Sequence, residues 1–249
     1  MKTTGHTILI TGAGTGIGLE AAKLFDQRGN RVIMGARNAE RLADEAAKLQ
    51  HATPYACDIS IPDQVADLVE YVRREHADLD VLFLNAGVTH GYKLFSDVDP
   101  IPPATEEVEV NYLSAVRLTH VLEQLLRDHL EPAMIITTSG VAFVPDVGNP
   151  TYSATKAALH SLCQTMRYVL GRAGSRIKVF EVMAPLTDSP FAQHVSGPKV
   201  PPSEVAQAVL DGLDRDDFEM HIGQTADVYP IYQRSPQEAL DIINATLGN

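Results

Sequence analysis

Short runs of Ile, Val and Leu alternate along the chain with longer stretches whose apolar residues recur every three or four positions. The first pattern predicts buried strands at residues 7–11, 31–35, 53–57, 81–85, 134–139, 177–183 and 218–222. The second predicts helices at 16–28, 39–50, 62–76, 105–130, 151–173 and 203–214, and Ser235, Pro236 and Glu238 have the capping-box spacing that announces a last one. Regular strand-helix alternation, with no repeat, low-complexity tract or long polar linker, predicts an α/β fold: a single doubly wound parallel sheet of about seven strands, with residues 1–249 as one domain. Two loops are rich in Pro, at 98–103 and 184–202. The second follows the sixth predicted strand, at the sheet end where such folds bind ligands, and is a candidate substrate lid.

Composition and charge narrow the partners. Lys and Arg total 20 against 32 Asp and Glu, a formal charge of −12 that opposes attraction to phosphate backbones and anionic lipid, so neither nucleic acid nor a membrane surface is an expected partner. No apolar run approaches the roughly 18 residues of a membrane span. The first predicted strand begins about six residues from Met1, which leaves no room for a signal peptide, and the expected compartment is the cytoplasm. Cys57 and Cys163 lack metal-ligand neighbours at CxxC or CxxH spacing and read as packed thiols. His90, His160 and His194 likewise have no partner at metal spacing and read as surface or loop residues, although His90 and His194 lie where they could line a pocket.

Chemistry enters with "TILITGAGTGIGLEAAKLF", a strand, a glycine-rich turn and an amphipathic helix in succession. Gly12, Gly16 and Gly18 allow a tight turn, close backbone approach to a pyrophosphate and close helix-strand packing, with Thr15 and Ile17 between them at the helix start. An acidic residue about 20 positions later commonly receives a free ribose 2′-hydroxyl. Here the chain reads Met34-Gly35-Ala36-Arg37. No carboxylate repels a 2′-phosphate and Arg37 offers a fork of donors to one, so NADP is the expected cofactor and NAD the alternative. Asp58, closing the third strand beside Ile59, is suited to an adenine amino group or to capping the next helix. Further on, "PTYSATKAAL" puts Tyr152 one helical turn before Lys156, a phenol beside a cation.

Taken in order, "TGAGTGIG", Asn85-Ala86-Gly87, Asn111 in "EVNYLSA", Ser139 in "IITTSG" and Tyr152-x-x-x-Lys156 resemble the short-chain dehydrogenase/reductase family over nearly the whole chain. The run "KVFEVMAPLTDSPF" looks like the DltE-type oxidoreductases of that family. The resemblance implies a Rossmann-type oxidoreductase, dimeric or tetrameric through long helices, that interconverts a carbonyl compound and its alcohol by hydride transfer. It gives Tyr152 the general acid/base role, Ser139 a hold on the substrate oxygen, Lys156 the nicotinamide ribose, Asn111 a water joining Lys156 to solvent, and Asn85, Ala86 and Gly87 the wall beside the adenosine ribose. A free phenol titrates near 10, so bringing Tyr152 to about 7 needs roughly 4 kcal/mol of phenolate stabilisation, for which Lys156 has the right sign.

The chain departs from the family at two places. Leu84 stands where many relatives have Asn, and Ala184-Pro185-Leu186-Thr187-Asp188-Ser189 replaces Pro-Gly-x-Val-x-Thr, with Pro185 and Ser189 left to meet the nicotinamide carboxamide. Apolar Tyr92, Phe143, Val144, Phe191 and Val195 point to a modest hydrophobic substrate. A catalytically silent NADP(H)-binding sensor or scaffold, and an epimerase or dehydratase, are the other readings compatible with this fold.

Overall fold

The computed structural model describes residues 1–245. Strands β1 (Thr7–Thr11), β2 (Arg31–Ala36), β3 (Ala52–Ala56), β4 (Val81–Leu84), β5 (Ala133–Thr137), β6 (Lys178–Met183) and β7 (Glu219–His221) form one parallel sheet in the order β3-β2-β1-β4-β5-β6-β7. The chain starts in the middle, winds outward to β3, then crosses back past β1 to build the other half. That reversal leaves a crevice at the carboxyl ends of β1 and β4. Each predicted strand is present, with ends shifted by one or two residues.

Strands buried on both sides need helices on both faces. On one face Ile8, Ile10, Val32, Met34, Phe83, Ile135 and Phe180 pack against α1 (Gly16–Gln27), α2 (Ala39–Ala46) and, through Val205, Val209 and Leu213, α7 (Pro202–Asp214). On the other, Leu9, Ile33, Leu82, Met134, Ile136 and Val179 meet α3 (Pro62–Glu75), α5 (Ser114–Arg127) and α6 (Pro150–Arg172). Alternate strand residues belong to alternate cores, the period-2 rule applied twice. Cys57 and Cys163 are buried free thiols, as expected.

Three expectations change. The Pro-rich segment at 98–103 is not all loop: α4 (Ile101–Glu107) starts inside it, with Pro102 and Pro103 in the first turn where no intrahelical N–H is needed. The predicted helix 105–130 is broken at its start by a π-helical stretch, Val108–Leu113, which carries Asn111. An unpredicted helix, α8 (Gln224–Arg234), precedes the expected α9 (Pro236–Asn244). Pro230 inside α8 hides it from a sequence reading because Pro normally ends a helix. Val144 packs with Val228 and Ala239 in a small core of their own, which seats α8 and α9 over the end of the sheet. Among the described residues no helix is long and apolar enough to cross a membrane, and no cluster of His, Cys, Asp and Glu has metal-binding geometry.

Candidate active site

The crevice opens into a cavity of about 840 Å³. Gly12, Gly14, Thr15, Gly16 and Ile17 form one wall. Gly12 has φ +70°, and a Cβ there would sit 2.8 Å from the Ala86 Cα; Gly18 does not line the cavity but packs beneath it, where a Cβ would meet the Gly12 carbonyl at 2.5 Å. Two of the three motif glycines are therefore demanded by the protein's own packing, which presses the β1–α1 turn onto Asn85 and Ala86. Thr11 Oγ1 reinforces this by accepting from the backbone N–H groups of both Asn85 and Ala86, at 3.0 and 3.1 Å. Thr15, the cap of α1, makes no side-chain bond to the helix, so the first amides of a 12-residue helix face the cavity, a favourable seat for an anion.

Arg37, Asp58, Ile59, Asn85, Ala86 and Gly87 all line the same cavity, as do Pro185 and Ser189. Arg37 is exposed, with Nη1 3.8 Å from Glu106 Oε1. A second cation, Arg41, and Asn38 also line this end; the sequence reading missed both, although their place four and one residues after Arg37 was available to it. Asp58 turns Oδ1 to Ser60, accepting from its N–H at 3.0 Å and its hydroxyl at 2.7 Å. It closes the turn ahead of α3 and does not cap that helix, whose cap is Ile61 with no side-chain bond.

At the far end stand Ser139, Tyr152 and Lys156, contributed by the segment after β5 and by the first two turns of α6. Tyr152 and Lys156 share a helix face as their spacing requires, with the ammonium 5.5 Å from the ring centre. Lys156 is 3% exposed and donates to the Thr137 carbonyl at 2.7 Å. Burial pulls its pKa down to about 8. The phenol goes the other way: burial raises it well above the usual tyrosine range, the Ser139 hydroxyl lowers it, and the Glu107 charge raises it. The protein surroundings alone therefore keep Tyr152 protonated at neutral pH, and the softening that the sequence reading credited to Lys156 is not among the causes of its shift.

Asn111 is brought near but behind the site. It is 2% exposed and saturated, with Oδ1 accepting from Val88 N at 2.8 Å and Nδ2 donating to Val88 O at 2.9 Å and Thr155 Oγ1 at 3.1 Å. Its side chain ties the segment after Gly87 to α6, from within the π-helical stretch Val108–Leu113.

The segment 184–202 covers the cavity and is anchored at both ends. A bridge joins Thr187 to Val200, Phe191 lies 5.5 Å from the Tyr152 ring, and His194 Nε2 is 3.3 Å from Asn149 Oδ1. Phe143, Val144, Phe191 and Val195 line the cavity as expected; Tyr92 instead is buried behind it, bonded to Thr151, and His90 lies outside the lining on Glu106. His160 is no surface bystander, being half-buried against Glu181. Sequence reasoning missed Asn149, Glu107 and the α8–α9 residues Thr225, Val228 and Ile243. No local signal marks them. Buried Glu107 accepts from the His90 N–H at 2.7 Å and from the Thr151 hydroxyl, and burial raises its pKa.

With that geometry in view, comparison with known proteins is direct. The short chain dehydrogenase family model matches residues 6–199. The uncharacterised oxidoreductase DltE of Bacillus subtilis is 34% identical over 219 residues, 86% of each chain. A short chain dehydrogenase from Burkholderia cenocepacia, solved in complex with NADP, superposes with a TM-score of 0.86 at 25% identity and full coverage of both chains. A short-chain dehydrogenase from Sphingobium yanoikuyae, in complex with NADPH, gives 0.79 at 25% identity over 94% of this chain and 95% of that one. Ordered motifs, doubly wound sheet and family match agree, and the chain belongs to the short-chain dehydrogenase family, whose members are oxidoreductases.

Proposed function

We propose that the protein is an NADP-dependent oxidoreductase that interconverts a small carbonyl compound and its alcohol. One observation carries this reading: Tyr152, Ser139 and Lys156 open onto the same cavity as the glycine turn. The residues fit the cofactor. The bare start of α1 and the turn at Gly14 to Gly16 suit a pyrophosphate, Arg37 with Arg41 suits a 2′-phosphate, Asp58 and Ile59 an adenine, and Lys156 with Ser189 the nicotinamide end. When bound, the nicotinamide exchanges a hydride with the substrate carbon.

The chain's own residues manage the proton and the position. Ser139 Oγ holds the substrate oxygen, and Tyr152, kept protonated by its dry surroundings, gives that oxygen its proton as the carbon is reduced. In the reverse direction the phenolate takes the hydroxyl proton. Lys156, ammonium below about pH 8, counters the phenolate charge left behind. Phe191, 5.5 Å from the Tyr152 ring, and the 184–202 segment stand beside the phenol. Apolar Phe143, Val144, Val195 and Val228 around this end favour an uncharged, modestly hydrophobic substrate.

The test is NADPH consumption with a panel of aldehydes, ketones and diketones, and NADP reduction with the alcohols. Turnover that Tyr152→Phe leaves untouched overturns the reading. Tight NADPH binding with no turnover on any substrate favours the sensor or scaffold alternative. Exposed Val108, Tyr168 and Val169, on the π-helical turn and the outer side of α6, further support assembly into a dimer or tetramer, which light scattering of the purified protein measures.

A further inference from the structure

Behind the reaction centre, between β6 and α6, lies an ion cluster that the chemistry above leaves unused. Glu181, in the interior of β6, has no exposed surface. Its Oε1 accepts from Thr138 Oγ1 at 2.8 Å and from His160 Nδ1 at 3.0 Å, and its Oε2 accepts from Arg167 Nη2 at 3.0 Å. Arg167 Nη1 continues outward to Glu219 of β7.

Both arms of this carboxylate end next to a reacting group. Thr138 lies between Thr137, whose carbonyl holds Lys156 Nζ, and Ser139, whose hydroxyl meets the phenol. His160 follows Lys156 by one helical turn, and Tyr152 precedes it by one, so the three share a face of α6. A single side chain thus grips the strand end that carries Ser139 and the helix that carries Tyr152 and Lys156. An apolar residue would fill this place in the sheet without the desolvation cost of a buried carboxylate. What it would lack is the two-armed grip and the charge.

We propose that Glu181 is a positioning residue: it locks α6 to the end of β5 and its charge, trimmed by Arg167, keeps an ammonium at position 156. This rests on the reading of Lys156 given under the proposed function. The groups that surround Lys156 are few. On α6 they are Tyr152, one turn before, His160, one turn after, and Cys163; β6 supplies Glu181, and Thr137 at the end of β5 offers its carbonyl. Arg167 and Glu219 reach Lys156 through their effect on Glu181. Burial lowers Lys156, and Cys163 and Glu181 oppose it. Burial drives the Cys163 thiol far above its usual range, so it is neutral where Lys156 titrates and Glu181 is the opposing charge. His160, with Nε2 facing the Gln164 amide at 3.0 Å and its other nitrogen on the carboxylate, serves as a bonded ring. Arg167 cancels part of the Glu181 field, and Glu219 cancels part of that of Arg167.

The electrostatic part makes predictions of opposite sign, which a merely structural role does not. The measurement is a pH titration of the purified chain with ¹³Cε-labelled lysine by NMR, without cofactor, the Lys156 signal being assigned with Lys156→Arg. Glu181→Gln should move the Lys156 midpoint down by about one pH unit, and Arg167→Gln should move it up by about half a unit. Shifts in opposite directions support the proposal; no shift, or shifts of the same sign, overturn it. If Glu181→Gln does not fold, Glu219→Gln at the part-exposed end of the cluster should give a smaller downward shift, and its absence overturns the proposal equally. In turnover assays the alkaline limb of the pH profile should follow the NMR midpoint in each variant. A wild-type protein inert toward every carbonyl substrate would sink the proposed function while leaving the NMR result intact, so the two failures are distinguishable.

Discussion

The two halves of the cavity are built by different means. The nucleotide half is a property of backbone and glycine: a tight turn, a bare helix start and a pair of cations, mostly within residues 12–41. The reaction half is assembled from side chains on separate segments, with Ser139 after β5, Tyr152 and Lys156 on α6, Phe191 and His194 on the 184–202 segment, and Val228 on α8. The first half tolerates almost no added volume, whereas the second depends on charge and orientation. That difference predicts which changes act on folding and which on chemistry alone.

The largest effect should come from Tyr152→Phe, which removes one oxygen from the reaction half. Turnover should fall by roughly 10²- to 10⁴-fold while NADPH affinity, read by cofactor fluorescence, stays nearly constant. A parallel loss of affinity would break the separation of the halves. Gly18→Ala is the counterpart in the nucleotide half. Its Cβ meets backbone at 2.5 Å, and stability should drop by about 3 kcal/mol in urea unfolding, with cofactor affinity falling as well.

Next is a pH effect whose sign follows from burial. Lys156 titrates at about 8 folded and near 10.5, the usual lysine value, unfolded, so below pH 8 both states carry the proton, and above it the unfolded chain binds more. The contribution of Lys156 should therefore raise stability between pH 8 and 10, by about 2 kcal/mol relative to Lys156→Met in matched urea melts. Catalysis should decline over the same interval as the ammonium is lost, so the reaction half gives up activity while it gains stability. Arg37→Ala should then weaken NADPH by roughly tenfold and leave NADH nearly unchanged, sharpening the assignment of the cation to a phosphate. The smallest effect is expected for His194→Ala, which releases one bond between the 184–202 segment and Asn149 and should raise KM by about threefold with little change in kcat.

Much of the nucleotide half was legible in the chain because its signals are local. A strand followed by spaced glycines and an amphipathic helix can be read in one window, and so can the missing carboxylate at Arg37. Tyr152 and Lys156 were legible for the same reason, since helical spacing alone puts them on one face. Glu107, Asn149 and Glu181 were not. Each is an ordinary polar residue in its own window, and only packing between distant segments removes its water and gives it partners. The same limit hid α8, where Pro230 contradicts the local rule and contacts among Val144, Val228 and Ala239 override it.

By itself the sequence determined the order of strands and helices along the chain, the glycine turn and the pairing of phenol with amine, because periodicity and short-range spacing act before the chain meets itself. Only the tertiary structure decided what those groups feel. Burial makes Lys156 a weaker base and Tyr152 a weaker acid than either is in water, and it turns the single acidic residue in β6 into a buried partner of α6. Dielectric and distance are properties of the folded whole, and no stretch of residues contains them.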